Sequence, residues 1–325
     1  MRYKNIIVAM LLLFLVTSNA FSTEVDENNI NYPTKNITIL CPTPAGGGLD
    51  ITTRTIAPEI EKILNAKIIV INRSGGAAIG VAEVAETAKP DGYTFIIIDK
   101  GLISNYETGV FKYGWRDFET VASLNKGKIY IVVNANDPYE DIEDLVQAAK
   151  DEPNVLTIGT TGSSGISFLN AFGFTSKSNA PIKIVPFAGG GDTKAAISGG
   201  HITAAALDGL EIMPLVEAGI LRVLAVSAND RSPELPDVPT LKEKGIDFSL
   251  EQAKAIFAPK GTPNEVINIF SDAVKKAVES ESFKKLCSDT MQIIDYMGPE
   301  ELADNYEENE KIIRKLIVDA GLAKQ

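Results

Sequence analysis

The chain has 325 residues and a net charge of −12 at pH 7, with 45% hydrophobic and 23% charged residues. This composition is typical of a globular protein, and the length is near the size at which one core gives way to two domains. So acidic a chain is poorly suited to bind nucleic acids or anionic membrane surfaces, and we expect neither as a partner.

The N-terminus has the pattern of a secretory signal peptide. Arg2 and Lys4 precede an apolar run at residues 6–16 and the small-x-small site Ser18-Asn19-Ala20. The apolar run is shorter than the roughly 20 residues of a membrane-spanning helix. We expect cleavage after Ala20, with Ser22 as the alternative, and removal of the two cations takes the net charge from −12 to about −14. Residues 1–20 are thus predicted to be removed, leaving a soluble protein without a lipid anchor in a Gram-negative periplasm.

Strands and helices alternate along the first third of the mature chain, after a polar lead-in at residues 21–35. We predict strands at 37–41, 67–71 and 93–98, helices at 51–64 and 81–88, and glycine-bearing turns at 46–48 and 75–76. This alternation with short loops favours a parallel α/β sheet.

The same alternation continues to the C-terminus. An extended stretch at 121–134 is long for one strand and is expected to cross between two domains. Later predicted elements are strands at 155–158, 182–185, 202–207, 221–227 and 256–259 and helices at 137–150, 166–174, 192–198, 264–280, 281–288 and 299–320. The strand at 221–227 is expected to carry the chain back. The predicted domains are then 21–123 with 227–325, and 124–226.

A glycine triplet that occurs twice is the main candidate for a binding site. Ala45-Gly46-Gly47-Gly48 recurs as Ala188-Gly189-Gly190-Gly191, each time between a strand-like run and a helix-like stretch. Such a turn places backbone N–H groups at a helix N-terminus, where they bind anions. Glycines also simply permit tight turns. The repeated context favours two walls of one anion pocket.

Other candidate ligand-binding residues follow predicted strands. They are Asp50, Lys100, Ser163, Ser164 and Asp208. In open α/β sheets ligands lie beyond the carboxyl ends of the strands, where hydroxyl groups and a lysine can bind a carboxylate. Alternatives stay open: Asp50, like Asp192, suits helix capping, Asp208 suits a turn, and Lys100 suits a solvated surface.

Little in the chain supports catalysis. His201 is the only histidine, and the spacings typical of nucleotide, metal and nucleophile sites do not occur. We therefore expect no enzyme, no metal and no cofactor. Cys41 and Cys287 could form a disulfide or remain two buried thiols.

An ordered set of motifs resembles the tripartite tricarboxylate transporter receptor family, the Bug or TctC-like periplasmic solute-binding proteins. The motifs include Pro44-Ala45-Gly46-Gly47-Gly48-x-Asp50, Asn72-Arg73-x-Gly75-Gly76, Pro90-Asp91-Gly92-Tyr93-Thr94, Gly162-Ser163-Ser164-Gly165, Pro186-Phe187-Ala188-Gly189-Gly190-Gly191 and Leu235-Pro236-Asp237-Val238-Pro239-Thr240. They cover the mature chain nearly end to end.

The resemblance implies a type II periplasmic binding protein fold, in which two α/β domains are joined by two crossing hinge strands with the ligand cleft between them. It also implies a di- or tricarboxylate or acidic amino acid ligand, hinge closure, and delivery to integral-membrane permease subunits. We expect a monomer. A receptor that signals to a sensor kinase is the alternative, and a periplasmic enzyme is a more distant one.

The chain departs from the family pattern near the expected cleft. Gln252-Ala253-Lys254 stands where many members have a tryptophan, and Asp99-Lys100 replaces small polar residues. If Lys100 and Lys254 face the cleft, they favour a ligand with two or three negative charges over a monocarboxylate.

Overall fold

The computed structural model describes residues 31–73 and 77–324. The predicted signal peptide at 1–20, most of the predicted lead-in and the glycines Gly75 and Gly76 lie outside the described residues. Within the described ranges the chain forms eleven strands and ten α-helices.

The strands form two sheets. The first has the order β11-β4-β10-β3-β1-β2 and consists of β1 (Ile37–Cys41), β2 (Ile68–Asn72), β3 (Thr94–Asp99), β4 (Phe118–Gly127), β10 (Gln252–Pro259) and β11 (Gln292–Ile294). The second has the order β7-β6-β8-β5-β9 and consists of β5 (Ile129–Asn134), β6 (Thr157–Thr161), β7 (Lys183–Phe187), β8 (Ala204–Asp208) and β9 (Leu221–Ser227).

The helices connect the strands within each sheet. Between strands of the first sheet, or following its last strand, are α1 (Gly48–Leu64), α2 (Ala77–Thr87), α3 (Gly101–Glu107), α8 (Asn264–Val278), α9 (Glu281–Asp289) and α10 (Pro299–Asp319). Between strands of the second are α4 (Ile142–Asp151), α5 (Ile166–Ser178), α6 (Gly190–Ser198) and α7 (Gly209–Glu217). Local sequence explains several ends: α1 ends at Asn65 in the left-handed conformation, and α10 begins with a proline.

β1 pairs in parallel with β2 and with β3, as predicted for the first third of the chain, but both sheets as a whole are mixed. β10 is antiparallel to β3 and β4, and β5 is antiparallel to β8 and β9. The chain enters the second sheet through β5 and returns to the first sheet through β10, and each of these strands is antiparallel to both of its neighbours. The stretch predicted as one extended segment is two strands, β4 and β5, separated by Lys128.

Lys128 also links the two crossings, the places at β4–β5 and after β9 where the chain passes from one sheet to the other. It is buried, and its Nζ donates to the carbonyl oxygens of Asp230 at 3.0 Å and Arg231 at 2.8 Å, just beyond the end of β9. Nearby, the Tyr130 hydroxyl lies 3.0 Å from the Ser232 Oγ. The first crossing is thus hydrogen-bonded to the segment that begins the second.

The side chains of β5 pack on both faces of the second sheet. Ile129 and Ile131 belong to one apolar cluster, which also contains Phe257 of the first sheet, while Tyr130 belongs to a second cluster. This period of two is the geometry of a strand buried on both sides, and it explains the continuous apolar run in the sequence.

Three elements carry no clear sequence signal. α3 has only seven residues, β11 only three, and α7 contains Pro214. Short elements lack enough periods for a pattern, and an internal proline is a poor predictor of a helix.

Candidate functional site

The first glycine triplet forms the turn between β1 and α1. Gly46 has φ 81°, in the left-handed region that favours glycine. Gly47 is the N-cap residue and supplies no side-chain cap, so α1 begins at Gly48 with its first turn uncapped. Ala45 is exposed beside the turn. Uncapped N–H groups and the helix dipole make this end of α1 attractive to an anion.

Asp50 holds this turn in place. It is 3% exposed, and its carboxylate accepts hydrogen bonds at 2.8 Å from the Gly46 N–H, from Arg54 Nε and from Asn72 Nδ2. Because both oxygens have protein donors and none of these is a backbone N–H of α1, the geometry favours a role for Asp50 in positioning the turn rather than in capping the helix.

The second triplet forms the turn between β7 and α6. Gly189 is the N-cap residue, again without a side-chain cap, and α6 begins at Gly190. Gly190 is buried, and a Cβ placed on it would lie 2.5 Å from the Cδ of Glu211. Asp192 is exposed at the third position of its helix, the place that Asp50 has in α1. Ala188 and Gly191 are also exposed.

The structure brings the two turns together. A Cβ placed on Gly189 would lie 4.0 Å from the Cδ of Pro44, which precedes the first triplet. A Cβ placed on Gly48 would lie 3.5 Å from the Oδ2 of Asp208 and 3.9 Å from the Cε of Lys254. Residues from both sheets therefore meet at this point, as the sequence predicted for the two triplets and for Asp208.

Asp208 and Lys254 form a buried ion pair beside the triplets. Asp208 ends β8, and its Oδ1 accepts a hydrogen bond from the Glu211 N–H at 3.1 Å at the start of α7. Its Oδ2 lies 3.5 Å from the Lys254 Nζ, which also donates to the Oε1 of Gln292 at 3.0 Å. The side chains are 3% and 1% exposed. Asp208 is therefore both a helix cap and the partner of a buried cation.

The Ser163-Ser164 turn follows β6 and contacts the other sheet's helices. Ser163 is exposed, whereas Ser164 is buried and its Oγ donates to the Oδ1 of Asn105 on α3. A Cβ placed on Gly165 would lie 4.0 Å from the Nδ2 of the same asparagine. Asn105 thus bridges the two halves of the molecule, although the sequence did not mark it as a candidate.

Lys100 lies at the start of α3 among other charged side chains. It is buried, and burial lowers the pKa of its amine, opposed by Glu251 and Asp295. The preceding Asp99 is the β3 residue that pairs with Lys254 on β10, and it accepts a hydrogen bond from Gln252 at 2.9 Å. Of the two lysines singled out from the sequence, Lys254 is the one beside the glycine turns.

A family model described as the tripartite tricarboxylate transporter family receptor matches residues 52–322. The chain belongs to this receptor family. A relative from Cupriavidus necator, the UPF0065 protein in the gbd 5'region, is 30% identical over 297 residues and the match covers 90% of each chain. The ligand-free structure of a TctC solute-binding protein from Polaromonas is 30% identical with a TM-score of 0.68, covering 89% of this chain and 99% of that one. R. palustris Rpa4515, solved with adipate, is 25% identical with a TM-score of 0.85, covering 90% and 99%.

Receptors of this family are periplasmic solute-binding proteins with two α/β domains, two crossing strands and a cleft between the domains. The two sheets and the crossings at β4–β5 and after β9 are this fold. Among the described residues, no helix is both long and apolar enough to cross a membrane.

Glu211 lies beside the second triplet of the candidate site and had no sequence signal. It stands in the first turn of α7, where an acidic residue ordinarily serves the helix dipole. Burial, and next the Asp208 carboxylate, raise the pKa of the Glu211 carboxyl to about 8, with Lys194 and Lys254 opposing. Only the fold, which turns its side chain toward Gly190, distinguishes it from an exposed helix-start glutamate.

The two cysteines are both free and buried, so the alternative of two thiols describes this receptor. Burial raises the pKa of each thiol, that of Cys287 to about 11. Neither thiol has the lowered pKa of a nucleophile.

A cavity of about 460 Å³ lies away from both triplets, at the side of the first sheet. Four of its five charged lining residues form two ion pairs: Arg73 with Glu83 at 2.6 Å, and Lys35 with Asp91 at 3.2 Å. Because these charges are already paired, we place the candidate site of the receptor at the triplets.

Proposed function

We propose that this receptor binds a small carboxylate between the two glycine triplets and delivers it to a membrane permease of the tripartite tricarboxylate type. The ligand class is a di- or tricarboxylate or an acidic amino acid. The observation that carries the proposal is that two uncapped helix N-termini, from α1 and α6, meet at one place. Rpa4515, which has the same fold, was solved with the dicarboxylate adipate.

The proposed contacts divide between the two halves of the molecule. From one half, the backbone of Ala45–Gly48 binds one end of the ligand, with Asp50 positioning the turn. From the other half come the backbone of 188–191 and the Ser163-Ser164 turn, while Asp208 orients a ligand amine, a ligand hydroxyl or a water. Backbone N–H groups recognise a carboxylate by geometry, as in other backbone nests.

Closure of the two halves over the ligand is the proposed mechanism. The domains are 21–123 with 227–325, and 124–226, and they move about the two crossings. A ligand that touches both turns is bound fully only when they are close, so it favours the closed state. The Lys128 hydrogen bonds to Asp230 and Arg231 connect the crossings and are compatible with a hinge there.

Calorimetry on the purified mature protein tests this function. Adipate, malate, succinate, citrate and glutamate are titrated, with the corresponding diamide of adipate as an uncharged control. We expect at least one carboxylate to bind and the diamide not to bind. Recovery of chemically unaltered ligand after long incubation is expected of a receptor, and turnover would instead identify an enzyme.

Uptake by cells separates transport from sensing. A strain with the permease is expected to accumulate the bound carboxylate only when this protein is present. Binding in calorimetry with no effect on uptake in such a strain would contradict delivery and favour the sensor alternative.

A further inference from the structure

The side chain of Glu211 reaches from α7 to the start of α6. A Cβ placed on Gly190 would overlap its carboxyl group, with 2.5 Å to Cδ and 3.2 Å to Oε2. Gly190 is the first residue of α6 and belongs to the second triplet. The Glu211 carboxyl therefore lies directly against one of the two proposed anion-binding turns.

The charged groups around this carboxyl are few. They are Asp208 at the end of β8, Lys194 on α6 and Lys254 on β10. Asp208 and Lys254 are paired with each other at 3.5 Å, so neither acts on Glu211 as an isolated charge. The backbone N–H of Asp208 acts on the carboxyl and lowers its pKa, and no side chain within residues 31–73 and 77–324 donates a hydrogen bond to it. The backbone N–H of Glu211 in turn donates to the Asp208 Oδ1 at 3.1 Å.

A buried carboxyl in these surroundings favours its neutral form. The pKa of about 8 means that the group carries its proton at pH 7. A neutral carboxyl has an O–H that can donate, whereas a carboxylate can only accept. A negatively charged ligand at the start of α6 would disfavour the ionised form further, because two like charges would then be close together.

We propose that Glu211 is a ligand-binding residue, and that its neutral carboxyl donates a hydrogen bond to the ligand carboxylate held at the second triplet. The inference rests on the proposed function, since it assigns a contact within that binding site. Binding of the anion then requires the proton on Glu211, so release of this proton and release of the ligand are linked.

The test is the affinity for adipate, measured by calorimetry from pH 6 to pH 9. Adipate itself stays ionised over most of this range, since carboxylic acids ordinarily titrate near pH 4. We expect the affinity to be nearly constant up to pH 7 and to be up to about tenfold weaker at pH 9, because only about a tenth of Glu211 keeps its proton there.

Two variants separate Glu211 from other titrating groups. Glu211→Gln keeps a neutral donor of similar size, although a weaker one. At pH 7 the variant is expected to bind adipate a few-fold more weakly than the wild type. Its own affinity is expected to be the same at pH 9 as at pH 7. Glu217→Gln removes the same charge from the exposed end of the same helix and is expected to keep the wild-type affinity and pH profile.

A second measurement does not depend on a variant that folds. Calorimetry of the wild-type protein at pH 8.5 in two buffers of different ionisation enthalpy reports the protons taken up on binding. We expect uptake of a sizeable fraction of one proton at pH 8.5 and none at pH 6.

Three results would each overturn the role of Glu211. They are an affinity that stays flat or rises up to pH 9, the absence of proton uptake at pH 8.5, and a pH dependence of the affinity that is unchanged in Glu211→Gln. A protein that binds adipate or another dicarboxylate with no such linkage leaves the proposed function in place. Absence of binding by every carboxylate at every pH contradicts the proposed function instead.

Discussion

Substitution of Gly48 by alanine should change stability and ligand affinity in opposite directions. The new Cβ would lie 3.5 Å from the Asp208 Oδ2 and 3.9 Å from the Lys254 Cε, both ordinary van der Waals distances, so the fold accommodates it. Gly48 is the first residue of α1, and alanine costs less conformational entropy there than glycine. We expect a gain of about 0.5–1 kcal/mol in the free energy of unfolding, or no change.

The same methyl group stands between the start of α1 and Asp208, where the ligand is proposed to bind. Loss of one charge-assisted hydrogen bond from a backbone N–H costs about 1.5–3 kcal/mol, which weakens binding roughly 10- to 150-fold. Urea denaturation measures the stability and calorimetry with adipate measures the affinity. Gly298→Ala is the control for binding, since Gly298 is the N-cap residue of α10, which also lacks a side-chain cap, and α10 lies outside the proposed site.

An unchanged affinity in Gly48→Ala would refute the argument that the ligand approaches the start of α1. A large loss of stability would instead refute the argument that the space around Gly48 accepts a methyl group. The two measurements therefore test the packing and the binding contact separately.

Four further outcomes follow from the described contacts. Glu211→Gln should stabilise the ligand-free protein at pH 8 but not near pH 4. Because the pKa of Glu211 in the folded protein is raised to about 8, the wild type loses stability as the pH rises above the unfolded pKa, by at most about 1.4 kcal/mol per pH unit. Equal unfolding free energies of variant and wild type across pH 4–8 would contradict this. Lys128→Met should cost about 1.5–3 kcal/mol in urea denaturation, because two carbonyl oxygens lose a charged donor; a neutral result would mean that water replaces the ammonium. Gly173→Ala should cost about 1–3 kcal/mol, because its Cβ would overlap the ring of the buried Phe248, and the cost should shrink in a Phe248→Leu background. The dissociation constant for adipate should change less than about threefold between 20 and 200 mM NaCl, since backbone dipoles in a cleft are screened little; a steep loss of affinity with salt would instead indicate an exposed cationic site.

The glycine turns could be predicted because their chemistry is local. A glycine-rich segment between a strand and a helix determines where the helix begins, and both helices start within the predicted triplets, at Gly48 and Gly190. The long terminal helices were predictable for the same reason, since their apolar spacing repeats over many turns.

The remaining parts of the site depend on tertiary contacts that no local pattern encodes. Asn105 stands on a seven-residue helix and acquires its place by reaching Ser164 across the two sheets. Lys254 and Lys100 look alike in the sequence, and only the tertiary approach of β10 to the end of β8 in the other sheet puts Lys254 beside Asp208. Glu211 is ordinary for a helix start until the fold buries it against Gly190.

These contacts explain how so acidic a chain can bind an anion in the proposed cleft. The negative charge of Asp208 is offset by Lys254 at 3.5 Å, and the raised pKa of Glu211 leaves that carboxyl neutral at pH 7. The field that remains at the meeting point of the two turns is that of the helix N-termini, which acts over about one helical turn. Most charged side chains of the described residues are exposed or half-buried, where solvent and salt screen them. In the proposed mechanism, recognition depends on how far apart the starts of α1 and α6 stand when the two halves close, and so on the length of the ligand more than on its total charge.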